Sequence, residues 1–203
     1  MPFPSFIAVT PIAYSVSNNV SVALPASGIL GGDLLFIWVA NGGIVTPSGW
    51  TRLDPPAYDT AVFVKEANGT ENGTSVTVTS TSTASFYRCA FQIRNARFPE
   101  ANTYKAGSLD QINPPSLTHS RGSADYLWVV GGGHSLPSNA TAPTNYTLQS
   151  GNTRGGVATR ALNAATEDPG AFGPTENPAV TGSFTIAVAY KPSANNLFFG
   201  SNF

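Results

Sequence analysis

Only two histidines, His119 and His134, offer imidazole groups that could act as a general base or a metal ligand. His134 follows three consecutive glycines at 131–133, directly after an apolar run. A glycine-rich loop after a strand can hold phosphate, but that chemistry also needs a following helix N-terminus and usually a lysine, and the sequence has neither here. We therefore expect residues 131–133 to form a flexible, exposed exit from a strand.

Carboxylates and the single thiol are the other groups that could do chemistry. Glu167 and Asp168 are adjacent in a predicted loop that also holds Glu176, but their spacing matches neither an EF-hand loop nor a glycosidase pair across a cleft. No Gly-x-Ser-x-Gly motif is present, and Cys89 shares a predicted strand face with apolar residues, which predicts a buried thiol. The sequence predicts no catalytic residue, no metal and no cofactor, so we do not expect an enzyme.

Two aromatic residues follow matching proline turns. Trp50 comes after Thr-Pro-Ser-Gly at 46–49, and Tyr146 comes after Ala-Pro-Thr-Asn at 142–145. The first sequence is typical of a type I turn with proline second, and Asn replaces Gly because it tolerates positive φ. An aromatic residue after such a turn usually closes the end of a core, but it can also stack on a sugar ring. We predict Trp50, His134 and Tyr146 as possible ligand-binding residues.

The chain that must position these residues carries little charge. It has 10 Lys and Arg residues against 11 Asp and Glu residues, so the net charge is −1. Charged residues make up 10% of the sequence, well below the roughly 25% of an average soluble domain. No basic stripe is present to neutralise phosphates or anionic lipids, and no apolar run is long enough to span a bilayer. We expect neither nucleic acid nor membrane as a partner.

The apolar residues alternate as they do in β-strands, with no sustained helical period. Ser75-Val76-Thr77-Val78-Thr79 alternates strictly, and a run at 184–190 does the same. Residues 34–40 are apolar at every position, which predicts a strand covered on both faces or lying in a subunit contact. Asn-Gly pairs at 68–69 and 72–73 favour a short hairpin between two strands.

The chain contains the same arrangement twice. Asp33 precedes an apolar run, a proline turn with its aromatic residue and a later alternating strand, and Asp125 begins the same series. We expect both aspartates to accept backbone hydrogen bonds at turns. The sequence predicts one all-β domain over residues 1–203, a jelly-roll-like β-sandwich with two internally related halves at about 20–94 and 123–192.

Apolar arms flank this predicted sandwich at residues 1–7 and 193–203. Phenylalanines are costly to leave in water, since burying one contributes roughly 1.5–3 kcal/mol. They can dock on the sandwich itself or on a neighbouring subunit. We predict that the arms form an interface through Phe3, Phe6, Leu197, Phe198, Phe199 and Phe203.

Three short motifs resemble a module of tailed-bacteriophage virion proteins. They are Gly32-Asp33-Leu34-Leu35, Thr46-Pro47-Ser48-Gly49-Trp50-Thr51 and Val62-Phe63-Val64-Lys65-Glu66-Ala67. The end of the second half, at 187–192, is also similar to the end of those modules, so the resemblance covers residues 20 to 192. It implies a β-sandwich located in the virion and carries no catalytic residues over.

The resemblance leaves two functions open. The first is a structural protein that decorates or cements a phage capsid through protein–protein interfaces, a homo-oligomer whose partners are other virion subunits, the major capsid protein or a tail protein. The alternative is a receptor- or carbohydrate-binding module of a tail fibre or spike. The chain holds no fibre-forming repeats or shaft, which favours the capsid protein.

Overall fold

Alternating apolar residues give this chain strands throughout the part that the structure describes. The structure is a computed structural model, and it describes residues 3–40, 43–55, 60–104, 111–135, 139–173 and 179–191. Within these ranges every regular element is a strand, and all pairings are antiparallel. None of the described residues belongs to a helix long and apolar enough to cross a membrane.

The N-terminal sheet contains every strand that precedes Asn95. These strands are β1 (Ser5–Val9), β2 (Ala13–Ala23), β3 (Leu34–Ala40), β4 (Thr51–Arg52), β5 (Thr60–Glu66) and β6 (Ser75–Arg94). Their order in the sheet is β1-β6-β3-β5-β4, and β2 also pairs with β6. The 20-residue β6 therefore pairs with three other strands along its length.

The C-terminal sheet is built from the strands that follow Asn95. Its members are β7 (Ala96–Tyr104), β9 (Asp125–Ser135), β10 (Thr147–Asn152), β11 (Gly155–Asn163) and β13 (Ala179–Tyr190), in the order β10-β11-β9-β13-β7. Two further short strands, β8 (Leu117–Thr118) and β12 (Thr166–Glu167), pair with each other as a small separate sheet.

The two sheets share one strand order. Matching β3 with β9, β4 with β10, β5 with β11 and β6 with β13 superposes their orders, and β1 and β7 then occupy the same edge. The predicted all-β sandwich with two related halves is confirmed. The finer jelly-roll description is not confirmed, because each sheet is drawn from one half of the chain. The chain crosses between the sheets at Asn95, whose φ is 54°.

The inner faces of the two sheets pack on each other. Phe91 in β6 lies between rings of both sheets, with centroids 5.1 Å from Phe36 and 6.1 Å from Phe184. Trp38 in β3 approaches Phe184 at 5.3 Å. This aromatic row belongs to the largest buried cluster of the molecule, to which both sheets contribute. Stacked and tilted ring pairs stabilise the sandwich in addition to the free energy gained by burying their apolar surface.

The outer face of each sheet is covered by the chain itself. Val20 and Val22 of β2 pack over the outward side chains of β3, among them Leu35 and Ile37. On the other side of the molecule, residues from the connections, including Ile112, cover the outer face of the C-terminal sheet. All seven residues of β3 are therefore buried, and the covering comes from the chain itself rather than from a subunit contact.

Two local predictions differ from the structure. The Asn-Gly pairs do not form a hairpin, because β5 and β6 lie on opposite sides of β3 and residues 67–74 cross its end. Asp33 and Asp125 are also not equivalent. Leu34 faces the inter-sheet core, whereas Tyr126 faces the outer side of its sheet. The two strands are offset by one residue, and a one-residue shift reverses the faces of a strand.

Candidate binding surface

The two proline turns adopt the same conformation. In each, the backbone N–H of the aromatic residue donates to the carbonyl of the proline three residues earlier, at 3.2 Å for Trp50 and 3.1 Å for Tyr146. The residue between them with positive φ is Gly49 in one turn (77°) and Asn145 in the other (67°), so the prediction for Asn145 is confirmed. Positive φ at the third position is typical of a type II turn, whereas the sequence predicts type I. The proline also occupies the first position of the turn rather than the predicted second position.

Trp50 and Tyr146 lie on opposite sides of the molecule. Trp50 packs, half-buried, on the cluster outside the N-terminal sheet, and Tyr146 packs on the clusters outside the C-terminal sheet. The Tyr146 hydroxyl donates to Oε1 of Glu167 at 3.1 Å, and burial together with that carboxylate raises the pKa of Tyr146. The two aromatic residues therefore close their own half of the sandwich and do not form one site.

His134, the third predicted ligand-binding residue, is buried and does not form an exposed group with Trp50 or Tyr146. It lies within β9, 1% exposed, and neither ring nitrogen has a hydrogen-bond partner among the described residues. Burial lowers the pKa of His134 to about 4. Because Gly133 faces Tyr87 and Trp38 in the inter-sheet core, the side chain of the next residue points to the outer face. Its imidazole is therefore a buried, uncharged group within β9 and does not lie on an exposed loop.

Residues 131–133 are also part of β9, so the prediction of a flexible, exposed exit was wrong. All three glycines are buried. A Cβ atom on Gly131 would lie 2.7 Å from the Phe184 ring, and one on Gly133 would lie 2.6 Å from Cβ of Tyr87. Glycine is required at 131 and 133 because aromatic side chains occupy the space that a Cβ atom would fill, and at 132 because Ile112 occupies it.

The acidic residues have structural partners. Oε1 of Glu167 accepts from Arg160 at 2.7 Å as well as from Tyr146, whereas Asp168 is exposed and Glu176 lies outside the described residues. Within the described ranges no three His, Cys, Asp or Glu side chains are grouped so that they could hold a metal ion.

Asp33 performs the role predicted for it. Its carboxylate accepts from the Leu30 backbone N–H at 2.8 Å, from Gln92 at 2.6 Å and from two guanidinium nitrogens of Arg94 at 2.9 Å. Burial raises the pKa of Asp33, but these hydrogen bonds outweigh burial and hold it below its usual value. Oδ1 of Asp125 accepts from the side chain of Asn163 at 2.7 Å.

The N-terminal arm is docked on the sandwich. From Ser5 onwards it forms β1, and the Phe6 ring stacks on Phe91 with centroids 5.8 Å apart. Phe3 is half-buried. The other predicted interface residues, Leu197, Phe198, Phe199 and Phe203, lie outside the described residues.

A cavity of about 380 Å³ lies between β2 and β6 and is lined in part by Cys89. The Arg88 guanidinium at its wall already donates to the Ser21 carbonyl at 2.9 Å and to the Ser15 hydroxyl at 2.8 Å. The predicted burial of the Cys89 thiol is confirmed, and burial raises its pKa to about 12. The cavity offers an approaching molecule little beyond apolar contact.

A different group of side chains stands out at the edge of the C-terminal sheet. We call it the Phe98 surface, and it consists of Arg97, Phe98, Glu100, Ser120 and Arg121. The register of β7 against β13 shifts here, so that Phe98 and Pro99 together oppose a single residue. Such a β-bulge turns a side chain out of the regular alternation. Phe98 is 41% exposed as a result.

The backbone at Phe98 is strained. Its φ is 49°, in the left-handed region that bulky residues rarely adopt, at a cost of roughly 1–2 kcal/mol. The buried imidazole of His119 holds the conformation, since its Nε2 lies 3.0 Å from the Phe98 carbonyl oxygen and must donate to it. Nδ1 then accepts the backbone N–H of Arg121 at 3.2 Å. Strain that the surroundings maintain in this way is a feature of functional sites.

His119 is itself fixed in place. Tyr126 stacks on the imidazole with ring centroids 4.3 Å apart, and its hydroxyl donates to the Gly122 carbonyl at 2.8 Å. Nearby, Glu100 accepts from the Ser120 hydroxyl at 2.5 Å and from the Ser120 backbone N–H at 3.0 Å. Partial burial raises the pKa of Glu100, but the bonds from Ser120 outweigh it and bring the pKa below its usual value.

Two cations flank the exposed ring. The guanidinium carbon of Arg121 lies 3.5 Å from the Phe98 ring centroid, and that of Arg97 lies 5.0 Å away. Both distances fall within the range of cation–π attraction. Ser120 hydrogen-bonds to Glu100 rather than to His119, so these residues do not form a nucleophile with its base. The arrangement presents two cations and an exposed ring at the surface.

The sequence offers little warning of this surface. The sequence between the two predicted halves, which includes Arg97, Phe98 and Pro99, contains few strand-forming residues. The turn at 119–122 that completes the surface comes about 20 residues later. The one signal is a histidine outside any obvious motif. Searches of protein-family models, characterised proteins and solved structures find no match to this chain.

Proposed function

We propose that this protein is a structural component of a bacteriophage virion, a capsid decoration or cement protein that acts through protein–protein interfaces. The observation that carries the proposal is the covering of both outer sheet faces by the chain's own residues. The charged groups inside this covered sandwich serve the fold, as Asp33 and Glu167 do. In this proposal the protein contacts its partners through the edges and ends of the sheets rather than through their covered faces.

The motifs at 32–35, 46–51 and 62–67 add support from their resemblance to phage virion modules. The low charge is compatible with a surface that is covered by neighbours in an assembly. In this proposal the partners are the major capsid protein or a tail protein, together with further copies of this chain. Each copy stabilises the particle by burying surface across joints between subunits, and stable contacts bury about 1,200–2,000 Å² in total.

The proposal is tested by labelling virions from the source culture with a gold-tagged antibody against this protein and viewing them by electron microscopy. We expect label distributed over the heads. Label confined to the tail tip would instead support the receptor- or carbohydrate-binding module, and absence of label from every particle would refute both. Particles treated with antibody that has been pre-absorbed with the purified protein provide the control.

The predicted interface of the C-terminal arm has its own test. Deletion of residues 197–203 should weaken attachment to capsids while the sandwich keeps its unfolding midpoint. A chain in which the phenylalanines of that segment are changed to serine controls for length. Attachment equal to that of the full chain would contradict the assignment of Leu197, Phe198, Phe199 and Phe203 to an interface.

A further inference from the structure

The Phe98 surface has the features of a prepared binding site. Phe98 is exposed although an apolar ring is costly to leave in water, and its left-handed backbone is maintained by a buried histidine rather than relieved. The β-bulge and Pro99 also prevent β7 from pairing regularly with another strand along this edge. The edge is therefore adapted to side-chain contact and not to extension of the sheet.

The two guanidinium groups have donors to spare. Among the described residues, neither Arg97 nor Arg121 has a side-chain hydrogen bond or salt bridge. Both lie over the Phe98 ring, and Arg121 also attracts the Glu100 carboxylate. A guanidinium that lies over a ring uses its flat face, so its N–H groups at the edge stay available. Stacking on the ring also restricts the arginine side chain, so less conformational entropy is lost when a ligand binds.

The local charge favours an anion. The surface carries two guanidinium groups and one carboxylate, that of Glu100, so positive charge is in excess. Both oxygens of Glu100 already accept hydrogen bonds from Ser120. Arginine binds carboxylates through paired, parallel hydrogen bonds, and these charge-assisted bonds are stronger than neutral ones. Aromatic residues and arginine together are also the residue types that dominate binding energy at protein interfaces.

We propose that the Phe98 surface binds the carboxylates of an acidic protein segment, with Arg97 and Arg121 gripping the charged groups and the Phe98 ring covering the apolar part of the segment. A protein is favoured over a nucleic acid because the chain carries a net charge of −1 and two guanidinium groups are too few to neutralise a phosphate backbone. Only the location of that segment, on a neighbouring virion subunit, rests on the proposed function.

The experiment uses the full chain labelled with ¹⁵N and follows the arginine Nε–H signals by NMR during titration with a capped hexaglutamate peptide. We expect saturable shifts at Arg97 and Arg121. Arg121→Gln should weaken the peptide's affinity about tenfold, the loss of one charge-assisted contact. Arg154→Gln is the matched control, because Arg154 also lies over a ring, that of Tyr14 at 4.9 Å, on a different part of the surface.

Phe98→Ala is the second variant, and it should weaken binding without removing charge. Its unfolding midpoint shows whether the fold is retained, and Arg121→Gln keeps the test decisive if it is not. The proposal is overturned if no signal saturates, if Arg154 shifts as much as Arg121, or if single-stranded DNA of equal charge binds more tightly than the peptide. Virion labelling with no peptide binding would leave the proposed function standing and remove this inference alone.

Discussion

Acidification below pH 7 should destabilise this protein through His134. The imidazole is 1% exposed, has no hydrogen-bond partner among the described residues, and has its pKa lowered by burial to about 4. In the unfolded chain its pKa returns to about 6.5. The unfolded state therefore binds more protons between these two values, and stability falls as the pH is lowered.

The magnitude follows from the two pKa values. Linkage predicts that about 2 kcal/mol of unfolding free energy is lost between pH 7 and pH 5, and about 3 kcal/mol by pH 4. Asp33 and Glu71, whose pKa values lie below the usual carboxyl range, add losses only at lower pH. The window between pH 7 and pH 5 is therefore the one in which the loss through His134 is measured.

Urea denaturation at pH 7, 6 and 5 measures this effect in the natural chain and in His134→Leu. Leucine is similar in volume and cannot be protonated, so the variant should lose most of the pH dependence. His134→Gln serves as a polar control that also does not titrate. An equal slope of stability against pH in the natural chain and both variants would refute the assignment of His134 as a buried neutral group.

Three further predictions concern residues that hold the sandwich. Gly133→Ala should cost about 1–3 kcal/mol by urea denaturation, since its Cβ would lie 2.6 Å from Tyr87, whereas Gly31→Ala should stay within about 0.5 kcal/mol, with its nearest atom at 3.5 Å. Asp33→Asn should lower stability by about 2–4 kcal/mol at pH 7, because it removes the charge that pairs with Arg94. The difference should shrink as the pH falls below the ordinary carboxyl range, and a difference that did not depend on pH would contradict this reason. Cys89 should react with a thiol reagent only on unfolding, and rapid reaction in native buffer would refute its burial.

The sequence was informative wherever a pattern repeats over several residues. The run at 34–40 is predicted as a strand and is β3, with bounds that agree. Asn145 adopts the positive φ that its exchange with Gly49 predicts. These features are local, because the chemistry of a turn or the alternation of a strand is written in neighbouring residues.

The failures have tertiary causes. The sequence does not predict β7, because Pro99 and two charged residues, Arg97 and Glu100, interrupt its pattern, and such interruptions are tolerated at a sheet edge that has a bulge. The glycines at 131–133 look flexible in sequence, but the side chains that require them, Phe184, Ile112 and Tyr87, belong to other parts of the chain. The Phe98 surface depends on a histidine 21 residues away, a contact that no local pattern records.

The single crossing at Asn95 has a topological consequence. The chain can be divided there into two contiguous pieces, 1–95 and 96–203, each with all the strands of one sheet and the residues that cover its outer face. The contact between the pieces would be the apolar core itself, which resembles the interface of an obligate heterodimer. If two copies exchanged their second pieces, every core contact would be kept and a domain-swapped dimer would form. The topology thus provides a route from one subunit to two that requires no new surface.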